Sequence, residues 1–127
     1  MLTLTRSAAR ALMVAALGLD WRRDGAAEKA DVLAAIRRLG ALQIDTIHVV
    51  ARSPYLALWS RLGHYDPRWL NELLAEGALF EYWSHEACFL PIEDFALYRH
   101  RMQAAHTLGW RYSQAWLDAH PAEVETV

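Results

Sequence analysis

Two polar residues, Gln43 and Asp45, alternate with apolar residues in the run over residues 42–47, which begins just after Gly40. Successive side chains of an extended chain point to opposite faces, so we expect Gln43 and Asp45 to share one face while their apolar neighbours enter the core. An amide beside a carboxylate can hold a water molecule and remove its proton, or place negative charge beside a developing cation. The spacing therefore suits hydrolytic chemistry.

The alternation by itself leaves a simpler interpretation open. Gln43 and Asp45 could form the solvent face of a half-buried strand, or a helix cap in which Asp45 accepts hydrogen bonds from a helix that begins at Thr46. Capping is compatible with catalysis only if the carboxylate oxygens stay accessible.

A second group of polar and aromatic residues comprises Glu81, Tyr82, Trp83 and His85. In a functional interpretation they line a cleft, where Tyr82 or His85 hydrogen-bonds a nucleotide and an aromatic ring stacks on a base. In a structural interpretation Tyr82 and Trp83 pack a hairpin and His85 occupies its turn. We favour the structural interpretation for Trp83 and leave both open for Glu81 and His85.

Arginine supplies nearly all the positive charge, since Lys29 is the only lysine among 13 basic residues. Arginine suits bidentate contacts with phosphate and base edges, and Arg52 and Arg61 are the best candidates for phosphate contacts, with Arg99 and Arg101 behind them. Each could equally be a solvated surface residue, and we favour that interpretation for Arg99 and Arg101. Codon bias in an alanine-rich chain explains the arginine content equally well. The net charge of -2 also lacks the basic bias of a small autonomous nucleic-acid-binding domain.

Length and composition fit one globular domain, because 127 residues with 54% apolar content suffice for a core. The single cysteine, Cys88, is expected to be a buried thiol, and a cytoplasmic location fits it. The six histidines include no i, i+4 pair and there is no cysteine pair, so we predict no metal site. The sequence contains no glycine-rich phosphate loop, and we predict no cofactor. No segment is long enough to span a membrane.

The spacing of apolar residues predicts a mostly α-helical fold with a small β-hairpin. The strands are expected at residues 79–83 and 87–90, and Pro91 is expected to end the second. Helices that lead into a hairpin suggest a winged helix, of the helix-turn-helix class. The first two predicted helices cover an amphipathic stretch over residues 4–19 and residues 27–39. The third starts at Ser53-Pro54 and stops at Gly63, and the fourth starts at Asp66-Pro67 and stops at Gly77. Two later helices are expected near residues 95–105 and 112–119.

The predicted winged-helix domain spans residues 1–120 and carries the Gln43–Asp45 motif. Residues 121–127 follow His120 and look like the first turn of a further helix or domain. We therefore expect the chain to be the N-terminal part of a longer protein.

Three blocks of sequence, in order, carry a resemblance to a known family. They are LGALQIDTIHVVARS at residues 39–53, the segment from Tyr55 that ends in LWSRLG at residues 58–63, and FEYWSHEA at residues 80–87. These blocks resemble the bacterial winged-helix DNA glycosylases of the AlkZ and YcaQ type. The resemblance is close over residues 28–100 and looser elsewhere.

The resemblance implies a DNA-repair enzyme built from tandem winged helices that acts on double-stranded DNA. Such enzymes hydrolyse the N-glycosidic bond of N-alkylated purines, including those in interstrand crosslinks. Their catalytic motif is Gln-x-Gln in one branch and Gln-x-Asp in the other, and Gln43 with Asp45 matches the second. Asp45 would then stabilise the oxocarbenium-like sugar and take a proton from water, while Gln43 orients that water.

Two other functions remain compatible with the sequence. A non-catalytic winged-helix DNA-binding protein, such as a regulator, would use Gln43 and Asp45 only as structural residues. An interaction domain with no DNA role would agree with the mildly acidic net charge.

Overall fold

The computed structural model describes residues 3–20, 25–45, 48–104 and 114–121. The chain forms two compact units, Met1–Phe95 and Ala96–Val127. The mostly helical fold with a small antiparallel β-sheet is as predicted, while the winged-helix arrangement and the domain boundary at residue 120 stay predictions. The elements are α1 (Arg6–Ala16), α2 (Lys29–Leu39), β1 (Leu42–Gln43), α3 (Ser53–Leu62), α4 (Arg68–Ala75), β2 (Leu79–Trp83), β3 (Ala87–Pro91), a 3-10 turn (Ile92–Asp94), α5 (Phe95–Gln103) and α6 (Gln114–Ala119).

Helices α2, α3 and α4 build the core of the first unit against the sheet. Helix α2 begins at a capping box, in which the Glu28 N–H donates to the Asp31 carboxylate at 2.7 Å. One turn apart on its inner face, Val32 and Ile36 are fully buried, as their spacing predicts. The buried core comprises Ala27, Val32, Ala35, Ile36, Leu42, Leu58, Leu62, Tyr65, Leu70, Leu73, Leu79 and Phe89.

The sheet has three antiparallel strands in the order β1-β3-β2, so β3 lies in the centre. The predicted hairpin is present, but β3 extends one residue further than expected and pairs Pro91 with Leu79. Proline has no N–H to donate at this position. The ladder continues because the Ile92 N–H donates to the Ala78 carbonyl at 3.0 Å.

Helix α3 begins at Ser53, one residue before Pro54, which was predicted to be its first residue. Arg52, not Ser53, is its N-cap, and the Arg52 carbonyl accepts from the Tyr55 N–H at 3.1 Å. The Ser53 hydroxyl instead donates to the Gln43 carbonyl at 3.5 Å, which joins α3 to β1. Thr46 and Ile47 lie outside the described residues, and residues 48–52 are not helical.

The buried face of α3 is also rotated from the stripe that helical spacing predicts, which is Tyr55, Leu56, Trp59 and Leu62. Pro54, Leu58 and Leu62 are buried, whereas Leu56 and Trp59 are 44% and 60% exposed. The sequence holds apolar residues on both sides of this helix, so periodicity alone could not separate the core face from an apolar surface.

Helix α1 forms as predicted, but none of its residues is buried. Leu12 and Met13 are exposed by 62% and 64%. The described contacts that hold it lie at its C-terminal end, where the Arg38 guanidinium donates to the Ala15 carbonyl. Within the described ranges, no helix is long and apolar enough to cross a bilayer.

Residues 105–113, and the final residues from 122, lie outside the described parts of the chain. The expected end of the helix near residue 105, the start near residue 112 and the further helical turn at 122–127 therefore stay predictions. Helix α6 is observed over Gln114–Ala119, where the imidazole of His120 stacks on Trp116 with ring centroids 4.4 Å apart.

Candidate active site

Gly40 sets the direction in which the candidate catalytic residues leave α2. Its φ of +75° is a left-handed conformation that glycine adopts without strain, and the chain turns directly from α2 into β1. The predicted alternation follows: Leu42 is buried and Ile44 packs against the core, while Gln43 is exposed and Asp45 is half-buried. The Ile44 N–H donates to the Ala87 carbonyl at 2.7 Å, which continues the pairing beyond β1.

Asp45 lines an open pocket of about 260 Å³ that we call the Asp45 pocket. Asp45 is the one charged residue of its described lining, since the other walls are Val49, Val50, Ala51, Ser53 and Leu56. A carboxylate among apolar walls acts on a nearby cation more strongly than one surrounded by water. Gln43 is not part of this lining, so its exposed amide lies outside the described pocket wall.

The sheet register places Tyr82 on the same face as Gln43. Both residues pair with Cys88, from opposite sides of β3, and directly opposed residues of antiparallel strands share a face. Two strand spacings of about 4.8 Å separate their backbones by about 10 Å. The Cys88 thiol between them is fully buried, as predicted, and this burial raises its pKa.

The same register directs Glu81 to the other face, because Glu81 pairs with Phe89, a member of the core. His85 is exposed in the turn between β2 and β3. The structure therefore brings Tyr82 to the face of Gln43 but does not group Glu81 with it. DNA-binding roles for Glu81, Tyr82 and His85 stay predictions.

The two candidate phosphate ligands of α3 differ in their surroundings. Arg52 is exposed at the N-terminus of the helix. Arg61 donates from Nε to the Leu17 carbonyl at 2.9 Å and from Nη1 to the Ala57 carbonyl at 2.7 Å, and burial lowers its pKa. Arg61 thus fastens the end of α1 to α3, and its proposed contact with phosphate stays a prediction.

A second pocket, of about 310 Å³, was not anticipated from the sequence, and we call it the aromatic pocket. Its described lining is Ala51, Tyr55, Leu56, Trp59, Tyr65 and Pro67, and it shares Ala51 and Leu56 with the Asp45 pocket. The Tyr65 hydroxyl donates to the Tyr55 carbonyl at 3.2 Å, and burial raises the pKa of Tyr65 to about 12. The signal available in the sequence is the pair Tyr55 and Trp59, which are four residues apart on the apolar stripe of α3.

Metal ligands are not grouped in the described part of the chain, where no three His, Cys, Asp or Glu residues lie close enough to hold an ion. Separately, the Asp45 carboxylate is a group that can accept a proton and stabilise positive charge, and it belongs to a partly apolar pocket.

Comparison with known proteins gives a match to one family. Residues 36–127 match the family described as DNA glycosylase AlkZ-like, and this range includes α3, the sheet, Gln43 and Asp45. No solved structure matches the chain.

Proposed function

We propose that this chain, which belongs to the AlkZ-like DNA glycosylase family, hydrolyses the N-glycosidic bond of N-alkylated purines in double-stranded DNA. The proposed substrates include purines held in interstrand crosslinks. The observation that carries the proposal is that Gln43 is exposed at the end of β1 and that Asp45, two residues later, lines an open pocket.

The reaction makes particular demands on such a site. A purine alkylated at N7 is already a cation, so it can leave with the electron pair of the C1′–N9 bond without a general acid. The sugar then develops oxocarbenium character, and water must form a new bond to C1′. A carboxylate meets both needs, because it stabilises the sugar cation and accepts the proton that the attacking water releases.

Asp45 and Gln43 would divide these tasks. Asp45 supplies the negative charge and the proton acceptor in the Asp45 pocket. The Gln43 amide has both an acceptor oxygen and two N–H donors, so it can fix the orientation of a water molecule near the same face. Arg52 would hold a phosphate of the bound strand at the exposed start of α3.

An excision assay tests the assignment. The full chain is incubated with duplex DNA that carries a single 7-methylguanine, and release of the base is measured under single-turnover conditions. We expect Asp45→Asn and Gln43→Ala each to lower the rate on the order of 10²-fold or more. Asp20→Asn makes the same chemical change at an exposed aspartate outside the site and should excise like the wild type.

Circular dichroism and urea unfolding verify that each variant is folded. Release of the base at the wild-type rate by both site variants would show that the catalytic assignment is wrong. A wild-type chain that binds the duplex but releases no base would support the alternative of a non-catalytic DNA-binding protein.

A further inference from the structure

The aromatic pocket adjoins the Asp45 pocket. The two have Ala51 and Leu56 in common among their lining residues, so they lie side by side at the start of α3. Both are open, and α3 contributes to both through Leu56. A nucleotide whose sugar lies at Asp45 therefore has the aromatic pocket as its adjacent binding surface.

The lining of the aromatic pocket limits what it can bind. None of its described lining residues carries a charge, so a phosphate would find no counter-ion there. The polar side-chain groups of the lining are two phenol hydroxyls and one indole N–H, and the Tyr65 hydroxyl already donates to the Tyr55 carbonyl, so few groups remain to hydrogen-bond the edge of a base. A volume of about 310 Å³ stands at the lower end of the range of about 300–1,000 Å³ for small-molecule sites, which suits one flat ring system.

Three of the lining residues are aromatic: Tyr55, Trp59 and Tyr65. Tyr65 is buried and anchored by its hydrogen bond to the Tyr55 carbonyl. Trp59 follows Tyr55 by four residues, so both stand on the same side of α3, and Trp59 is 60% exposed. Tryptophan is the side chain whose ring face attracts cations most strongly.

We propose that the aromatic pocket receives the alkylated purine itself and selects it by its positive charge. This inference rests on the proposed function, because it assumes that the attacked nucleotide is an N-alkylated purine next to Asp45. An N7-alkylpurine is a flat cation, whereas an undamaged purine is a flat neutral ring. The aromatic faces attract the first more strongly, so the pocket favours damaged over normal bases before any bond is broken.

Binding to a non-hydrolysable substrate tests the proposal without relying on catalysis. The full chain is titrated with duplex DNA containing 2′-fluoro-7-methyldeoxyguanosine, and separately with the same duplex containing 2′-fluorodeoxyguanosine. We expect the wild type to prefer the cationic duplex, and Trp59→Leu to reduce that preference by about 5- to 30-fold. Trp59→Phe keeps an aromatic face and should retain much of the preference.

Trp83→Leu is the matched control, because Trp83 is another exposed tryptophan but belongs to β2 and not to the pocket lining. It should leave the preference unchanged. The proposal is overturned if Trp59→Leu keeps the wild-type preference, or if it weakens both duplexes equally, because either result means that Trp59 does not sense the charge of the base.

The two proposals can fail separately. If Asp45→Asn excises at the wild-type rate while Trp59→Leu loses the preference, the catalytic assignment fails and the aromatic pocket stands. If Asp45→Asn abolishes excision while Trp59→Leu retains the preference, the pocket proposal alone is wrong.

Discussion

Arg52 and Arg61 show how differently two arginines near the ends of one helix can be used. Arg52 is exposed at the start of α3, where it is available to a phosphate. The Arg61 guanidinium is committed to the Leu17 and Ala57 carbonyls. The two carbonyls hold the Arg61 guanidinium against the protein, whereas Arg52 is exposed, so we expect the electrostatic contribution to come mainly from Arg52.

Substitution of each arginine by alanine separates these roles. Arg52→Ala should weaken duplex binding and reduce the slope of log K against log salt concentration by about 0.9, the effect of losing one phosphate contact. Arg61→Ala should leave the slope nearly unchanged and lower the free energy of unfolding by about 1 kcal/mol, because two carbonyls lose a donor. Anisotropy titrations between 50 and 200 mM salt and urea unfolding measure the two quantities. A slope that changes with Arg61 and not with Arg52 would reverse the assignment.

Tyr65 gives the protein a pH dependence at high pH. Burial raises its pKa to about 12 in the folded state, from 10.0. Below pH 10 the phenol keeps its proton in both states, so its contribution is fully present. Between pH 10 and about 12 only the unfolded state loses the proton, so the free energy of unfolding falls as pH rises, by at most about 3 kcal/mol.

The variant Tyr65→Phe isolates this effect from other alkaline titrations. At pH 8 it should be less stable than the wild type by about 1 kcal/mol, because the hydrogen bond to the Tyr55 carbonyl is lost. Urea unfolding at pH 8, 10 and 11.5 should show this difference shrinking as pH rises. A difference that stays constant over that range contradicts the assigned pKa.

At the level of elements, the turn at Gly40 couples the core to the candidate catalytic residues. Helix α2 buries Val32 and Ile36 on one side of the turn, and β1 begins two residues after it. Apart from its neighbours along the chain, no described residue comes within 4 Å of the position that a Cβ would occupy on Gly40, so we expect its backbone conformation to be what restricts substitution.

Gly40→Ala should therefore destabilise the protein by about 1–2 kcal/mol through left-handed backbone strain, and Gly40→Asn by less. Thermal unfolding followed by circular dichroism gives the order of stability. Equal losses for alanine and asparagine would indicate a cause other than the backbone conformation. The same variants should lower the excision rate if the strain changes the direction in which β1 leaves the helix.

The elements show clearly what sequence can and cannot predict here. Helix α2 was predicted because its apolar residues have one possible partner, the core. The buried face of α3 was not predicted, because Leu56 and Trp59 have the spacing of core residues on a helix but line a surface pocket. Alternation predicts opposite faces for the consecutive residues Glu81 and Tyr82, but which of them shares the face of Gln43 depends on strand register, which is a long-range property.

For the molecule as a whole, the net charge of -2 means that DNA affinity must come from local features and not from a general positive field. The first unit combines an exposed arginine at the start of α3, one acidic pocket and one uncharged aromatic pocket. Such a surface would bind undamaged DNA weakly and gain affinity from the chemistry of the damaged base, which suits a protein that must search mostly intact DNA.

The central strand of the sheet also carries a built-in reporter. Cys88 is the only cysteine and is fully buried between Gln43 and Tyr82, so a thiol reagent can modify it only when β3 is uncovered. The rate of thiol labelling under native conditions therefore measures how often local unfolding exposes β3 and disrupts the candidate catalytic face. A duplex that binds only the closed sheet should slow labelling by the factor 1 + [DNA]/Kd, about 100-fold at 100 times Kd. Binding of the duplex can therefore be measured through Cys88 in the wild-type protein, without any substitution and before any base is released.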